Sequence, residues 1–200
     1  MSRIFTALIK ENRNIKSNHY LLTLHPLKRI IKPQPGQFFM VSVGNTLDPL
    51  LKRPFSLYRW LDGDFQILYR VVGKGTEMLS KRMAGEGIDV IGPLGNGFPL
   101  RHPKGGIILI AGGLGIAPIF ALAEAISKKG PLLFYGAKTG GDLLNLHELK
   151  GMCAKVIIST DDGSHGYKGM ITEQLRGFLS NHESSITDYL LYACGPLAML

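Results

Sequence analysis

The feature that most constrains this chain is a change in hydrophobic pattern near residue 104. Before it, from Ile4 to about Leu100, apolar residues come in short β-prone runs separated by turn residues. Tyr20 to Leu24 alternates, and Gly36 to Val43 is aromatic and β-branched after Pro33 and Pro35. Leu57 to Trp60 and Phe65 to Val72 flank Asp62-Gly63-Asp64, a strong hairpin signal. Ile88 to Ile91 runs into the turn-rich Gly92-Pro93-Leu94-Gly95-Asn96-Gly97. One helical patch interrupts, Thr76 to Met83, where Met78, Leu79 and Met83 fall at helical spacing and Thr76 stands as the cap. About six short strands with such turns predict an antiparallel β-barrel.

After Lys104 the text becomes strand, helix, strand, helix. Ile107 to Ala111 is wholly apolar, as central parallel strands are. Ile116 to Lys128 reads as a helix ending at Gly130-Pro131, Leu132 to Tyr135 as a strand, and Asp142 to Leu149 as a helix with Asp142 as N-cap. Val156 to Ser159, Met170 to Leu179 and Tyr189 to Ala193 continue as strand, helix and strand. The predicted fold class is β plus α/β in two domains: an antiparallel barrel over 1–101 and a doubly wound parallel domain over 102–200. The second domain reads as truncated. The chain ends at Leu200, inside what should be a helix's second turn, and a parallel sheet needs that helix to cover its face.

Composition narrows the function classes. A net charge of +8, from 23 basic and 15 acidic residues, suits an acidic partner or a phosphorylated cofactor. The basic residues are scattered without interleaved aromatics, which argues against nucleic acid. The longest apolar run, Gly105 to Ala123, is broken by glycines and Pro118 and is no membrane span. Met1-Ser2-Arg3-Ile4-Phe5 carries no apolar signal region, so the expected compartment is the cytoplasm. Two cysteines, Cys153 and Cys194, are too few for a disulfide framework or a closed zinc site.

Five places carry chemistry. Arg53-Pro54-Phe55-Ser56 combines a fork-shaped cation, a rigid turn, an aromatic ring and a hydroxyl. Arginine grips a pyrophosphate through two parallel charge-assisted bonds, a ring lies on a flat heterocycle, and a hydroxyl reaches a ring nitrogen. The set suits a flavin dinucleotide, and equally a strand entering after a turn. Arg70 with Val71-Val72-Gly73-Lys74-Gly75-Thr76 reads as a phosphate-friendly helix start or as a cap with solvated cations. Gly112-Gly113-Leu114-Gly115-Ile116-Ala117-Pro118, between a predicted strand and helix, reads as a phosphate turn or as a tight connection. Pro118 stands where a strict dinucleotide fingerprint has its third glycine, and no acid clearly takes the ribose role downstream. Asp161-Asp162-Gly163 and Cys194-Gly195-Pro196 each follow a parallel strand, where ligands of such sheets bind, and each also reads as a plain turn.

Other residues are set aside. His147-Glu148 opens like a zinc-protease helix, but Gly151 stands where the second ligand belongs. Ser56 has no histidine or acid nearby. His19, His25, His102, His165 and His182 read as solvated surface residues. No catalytic residue and no metal ligand is assigned within 1–200.

Taken in order, Arg53-Pro54-Phe55-Ser56, Arg70 with Gly75-Thr76, Gly112-Gly113-Leu114-Gly115 and Cys194-Gly195-Pro196 resemble the ferredoxin–NADP reductase superfamily. Tyr69-Arg70-Val71-Val72-Gly73-Lys74-Gly75-Thr76, Gly92-Pro93-Leu94-Gly95-Asn96-Gly97-Phe98 and Thr160-Asp161-Asp162-Gly163-Ser164 look most like the electron transfer subunits of class 1B dihydroorotate dehydrogenases. The resemblance covers essentially the whole chain.

It implies FAD on the barrel and NAD on the α/β domain. Arg53, Pro54, Phe55 and Ser56 would hold the flavin, with Ser56 near its reactive ring nitrogen. Leu68, Tyr69 and Arg70 would line the ribityl and phosphates, and Gly75 and Thr76 the pyrophosphate. Gly112, Gly113 and Gly115 would take the NAD phosphates, with Asp161 and Cys194 near ribose and nicotinamide. Many relatives have Tyr where Phe55 stands; Phe55 stacks but offers no hydroxyl. The family also implies a [2Fe–2S] cluster on four cysteines of a C-terminal segment absent from this sequence. It further implies an FMN-containing catalytic subunit, a heterotetramer and a place in pyrimidine biosynthesis, with no nucleic acid and no membrane. The alternatives are a hydrogenase- or transhydrogenase-type NAD(P)H–ferredoxin reductase subunit and a nucleotide-binding regulatory module without redox activity.

Overall fold

The computed structural model describes residues 3–44, 50–101, 103–182 and 188–200. Met1, Ser2 and His102 lie outside the described residues. The chain divides into two compact units, Met1–Phe98 and Pro99–Leu200.

The first unit is a closed barrel of six strands: β1 (Arg3–Lys16), β2 (His19–Pro26), β3 (Phe38–Val41), β4 (Arg53–Leu61), β5 (Asp64–Arg70) and β6 (Gly87–Leu94). They run β1-β2-β5-β4-β3-β6, and β6 pairs back onto β1. Every pair is antiparallel. The β4–β5 turn places Asp62 and Gly63 at φ 44° and 102°, as a two-residue primed hairpin turn demands. Phe39 and Phe65 stack at 4.1 Å in the interior, with Phe5 edge-on to Phe65 at 6.4 Å. Leu22, Leu24, Val41, Leu57 and Ile67 are buried in the same unit.

Barrel closure corrects several expectations. Tyr20 to Leu24 alternates in sequence, yet Leu21 and Thr23 are buried as well as Leu22 and Leu24. Thr23 tolerates its place because its hydroxyl accepts a hydrogen bond from Gln66. His19 is buried, not solvated, through its position opposite Arg70 on β5. His25 is half-buried and pairs with Asp64 at 2.6 Å. The helix of this unit, α1 (Lys74–Ser80), begins and ends earlier than the methionine spacing predicts. Met83 is exposed, so it adds nothing to an apolar stripe, and Arg82 turns away to pair with Glu86 and the Gly87 carbonyl. Thr76 is not the N-cap but lies in the first turn. Its hydroxyl accepts from the Val72 and Gly73 amides and donates to the Gly73 carbonyl.

The second unit is a five-stranded parallel sheet in the order β10-β9-β8-β7-β11. Its elements are β7 (Gly106–Gly112), α2 (Ile116–Ala125), β8 (Leu132–Ala137), α3 (Leu146–Met152), β9 (Lys155–Thr160), β10 (Tyr167–Lys168), α4 (Ile171–Ser180) and β11 (Tyr189–Cys194). Ile108 and Ile110 of β7 pack with Phe134 and α4's Ile171, while Ile107 and Leu109 are buried on the opposite face. Both faces are covered, which is why β7 reads as an unbroken apolar run. The two-residue edge strand β10 has too little sequence to be foreseen.

Two helix boundaries differ from expectation. α2 stops at Ala125, and Ser127–Lys129 forms a tight 3-10 turn closed by Gly130 at φ 55°. Asp142 does not cap a helix; Gly140–Asp142 is a 3-10 turn and α3 starts at Leu146 behind Asn145, at φ 54°. The buried hydroxyl of Tyr135 accepts from the Leu144 amide and reaches the Asp142 carbonyl, which holds the intervening chain out of helix.

Phe65→Ala removes half of the stacked pair at the barrel centre. It is expected to cost about 3–5 kcal/mol, read by denaturant unfolding as a lower midpoint at unchanged slope.

Candidate functional site

Each unit carries its own site. In the barrel, Arg53 opens β4 opposite Val41, and its Nη1 donates to the Leu51 carbonyl at 2.7 Å. That bond aims the guanidinium beneath the first turn of α1. A Cβ placed on Gly75 would lie 3.2 Å from Arg53 Nε. Glycine there lets helix backbone and guanidinium meet, as an anion gripped by both requires. Arg70, at the end of β5, has its Nε buried without a hydrogen-bond partner among the described residues. A buried donor of this kind is costly unless something accepts from it, and a phosphate oxygen is suitable.

Beside these cations stands an aromatic wall. Phe55 meets Tyr69 edge-on at 5.7 Å, and Tyr69 stacks on Tyr20 at 5.4 Å. Tyr69 is buried with its hydroxyl on Asn12 Oδ1 at 3.0 Å. Burial holds that phenol well above its usual range, despite the Asn12 bond, so it stays a donor. Leu68 is buried, Ser56 is half-buried and Pro54 is exposed. The unit thus gathers Arg53, Phe55, Tyr69, Arg70, Gly75 and Thr76 at one end of β4, β5 and α1. Asn12 and Tyr20 belong to the same group and carry no local sequence signal.

In the second unit, β7 is flanked by β8 on one side and by β11 on the other. This reversal of strand order is where doubly wound sheets bind ligands, beyond the strands' carboxyl ends. Ala111 and Cys194 are paired there, so the Gly112 turn and the Cys194 turn border the crevice. The three glycines serve two different needs. A Cβ on Gly115 would stand 2.0 Å from the Cys194 carbonyl oxygen, and one on Gly112 would meet Pro196 Cδ at 2.8 Å and Met199 Sδ at 2.7 Å. Gly113 has φ 53° and open space above it. Packing accounts for Gly112 and Gly115, whereas Gly113 leaves room for an incoming phosphate. Partial burial raises the Cys194 thiol pKa, which favours the neutral thiol over the reactive thiolate.

Asp161 is exposed at the carboxyl end of β9, its amide on the Ala137 carbonyl. Asp162 is already engaged. Its carboxylate accepts from the hydroxyl and amide of Ser164, at 2.6 and 3.0 Å, and these bonds hold it below the usual range. Ser164 also accepts from the Gly140 amide, tying the loops after β8 and β9 together. Thr160, the last residue of β9, closes the loop after its own strand through both backbone groups of His165. The Gly140–Ser164 bond joins the loops of two separate strands, so spacing in the sequence does not reveal it. No group of three or more metal-ligating side chains occurs among the described residues.

Comparison with known proteins gives the family. An oxidoreductase NAD-binding domain family matches residues 109–200. The chain is 35% identical over 204 residues to the dihydroorotate dehydrogenase B (NAD(+)) electron transfer subunit of Desulforamulus reducens, spanning 100% of this chain and 76% of the relative. It is 37% identical over 200 residues to the same subunit of Bacillus caldolyticus, covering 96% of this chain and 74% of that one. The chain belongs to this family. Among solved structures, an NADH-dependent reduced ferredoxin–NADP oxidoreductase is 26% identical with a TM-score of 0.77, over 96% of this chain and 68% of the other. The cytochrome P450 reductase of Amycolatopsis, at 24% identity and TM-score 0.80 over 99% of this chain and 63% of its own, shares the fold.

The residues fit two of the three cofactors that the resemblance implies. The Arg53–Gly75 cradle and the orphan Arg70 Nε suit a flavin dinucleotide, and the Gly113 turn at the switch point suits a nicotinamide dinucleotide. A four-thiolate cluster does not fit these 200 residues: there are two cysteines, and Cys153 is buried with its thiol pushed up to about 11.

Gly115→Ala is expected to disrupt the second unit, because its methyl meets backbone that cannot yield. Gly113→Ala is expected to cost about 1 kcal/mol from the left-handed backbone alone. Thermal melts of the two variants check the contrast.

Proposed function

We propose that the chain is an electron transfer subunit that carries reducing equivalents from a dihydroorotate-oxidising catalytic partner, one containing FMN, to NAD+. The observation that carries this reading is the Arg53 guanidinium seated beneath Gly75, beside the unpartnered Arg70 Nε, in a chain 35% identical to a named subunit of that kind. The overall reaction balances: dihydroorotate gives up two electrons and two protons, NAD+ takes two electrons and one proton, and one proton goes to solvent. FAD, when bound, supplies the exchange between one-electron and two-electron transfer.

The chain's own residues bind and orient. Arg53 and Arg70 neutralise the pyrophosphate, and the α1 turn at Gly75 and Thr76 receives it on backbone amides. Phe55 would pack on the flavin ring, with Pro54 setting the strand that would bring Ser56 towards its reactive nitrogen. Leu68 and Tyr69 line the ribityl side. In the second unit Gly113 takes a dinucleotide phosphate, with Gly112 and Gly115 holding the turn in shape. Asp161 binds a ribose hydroxyl and Cys194 borders the nicotinamide as a neutral thiol. None of these groups acts as general acid or base. The iron–sulfur cluster that would link the two flavins needs ligands other than the two cysteines present. No helix among the described residues is long and apolar enough to cross a membrane.

The second reading, an NAD(P)H–ferredoxin type reductase, draws on the 26% identical oxidoreductase. The two separate cleanly. Protein purified with FAD should bleach near 450 nm on NADH addition, much faster than with NADPH, and should reduce NAD+ from dihydroorotate once its partner is supplied. Reduced ferredoxin replacing dihydroorotate as electron donor would favour the second reading, and protein that neither retains nor takes up flavin would sink both. Arg53→Ala should weaken FAD binding about 10- to 100-fold, the worth of a lost charge-assisted bond.

A further inference from the structure

The inner face of the barrel carries one polar junction that the flavin reading does not use. Along β1 the inward residues are Phe5, Ala7 and Ile9, all buried. Strict alternation would next turn Glu11 inward. Instead the pairing with β2 steps from Ile9↔Leu24 to Glu11↔Thr23, so Lys10 is an extra residue. Such a bulge shifts the alternation by one and re-aims the side chains after it. Asn12 then stands opposite the buried Leu22 and points inward.

Its amide is fully engaged there. Nδ2 donates to the carbonyls of Leu79 at 2.8 Å and Arg82 at 3.0 Å, at the end of α1 and just beyond it. Oδ1 accepts from Tyr69. Both carbonyls lie where the intrahelical ladder of α1 ends, and that of Leu79 also accepts from the Arg82 amide. One side chain therefore bonds both elements of the flavin site: the helix whose first turn lies on Arg53, and the tyrosine against which Phe55 packs.

We propose that Asn12 is a positioning residue for the flavin, fixing the spacing between the pyrophosphate turn and the aromatic wall. This rests on the flavin reading above. Asn12 touches no cofactor atom; it acts through α1 and Tyr69. An alanine frees both elements. An aspartate keeps an acceptor for Tyr69 but sets a carboxylate against the two carbonyls, so it releases α1 alone.

The test compares Asn12→Ala, Asn12→Asp and Ile9→Val, the last on the same inner face and away from the site. FAD dissociation constants are measured by fluorescence titration of deflavinated protein, amide exchange over 73–76 in the flavin-free state, and the visible flavin spectrum in the bound state. Both Asn12 variants should bind FAD about tenfold more weakly and exchange faster over 73–76. Only Asn12→Ala should also alter the vibronic shape of the flavin band. Ile9→Val should lower the melting temperature while leaving affinity and exchange unchanged. If wild type binds FAD and the Asn12 variants match it, the inference is overturned and the flavin reading stands. An equal affinity loss in Ile9→Val at a matched melting temperature would reduce Asn12 to a stability role and also overturn it. If wild type binds no FAD, the flavin reading falls and takes this inference with it.

Discussion

Closure of the first six strands is the constraint on which the amino-terminal unit depends. A closed sheet pairs every strand on both sides and leaves no free edge, but it also fixes which residues face inward. With β6 back on β1, the interior becomes a column of aromatic and aliphatic side chains around Phe39 and Phe65. A register shift at Lys10 decides that an asparagine and not a glutamate enters the barrel. An inward Glu11 would have placed a charge among buried aliphatics; Asn12 meets three partners instead.

The second unit obeys a different constraint. Its parallel strands need both faces covered, and its helices must begin at the carboxyl edge of the sheet. The turn after β7 and the turn after β11 therefore crowd together, and Gly115 is the point of contact, its α-carbon against the Cys194 carbonyl. A glycine that looks like a ligand-binding device is, at this position, a packing necessity. Of the three, Gly113 alone combines a left-handed backbone with open space, the room that the proposed dinucleotide phosphate would need.

Much of this was legible beforehand because it is local. The Asp62-Gly63 hairpin, the apolar run of β7 and the glycine turn into α2 each follow from a few adjacent residues. The elements that depart from local expectation have non-local causes. The start of α3 waits on a hydroxyl from Tyr135 in the preceding strand. Burial of His19 and Thr23 comes from strands that arrive later in the chain. The end of α1 depends on Asn12, 67 residues before Leu79.

By itself, the sequence determined that a β half precedes an α/β half, and that cationic, aromatic and glycine-rich turns lie where a flavin and a nicotinamide dinucleotide can be held. Those features are written in the hydrophobic period and in residues within a turn of one another. Only the tertiary structure decided that Arg53 lies under Gly75, that Arg70 keeps a buried donor unspent, and that Asn12 bonds a tyrosine 57 residues away. The physical reason is register. A single extra residue in one strand changes which side chain faces the interior, and that choice is made by pairing with a partner strand, which no local pattern encodes.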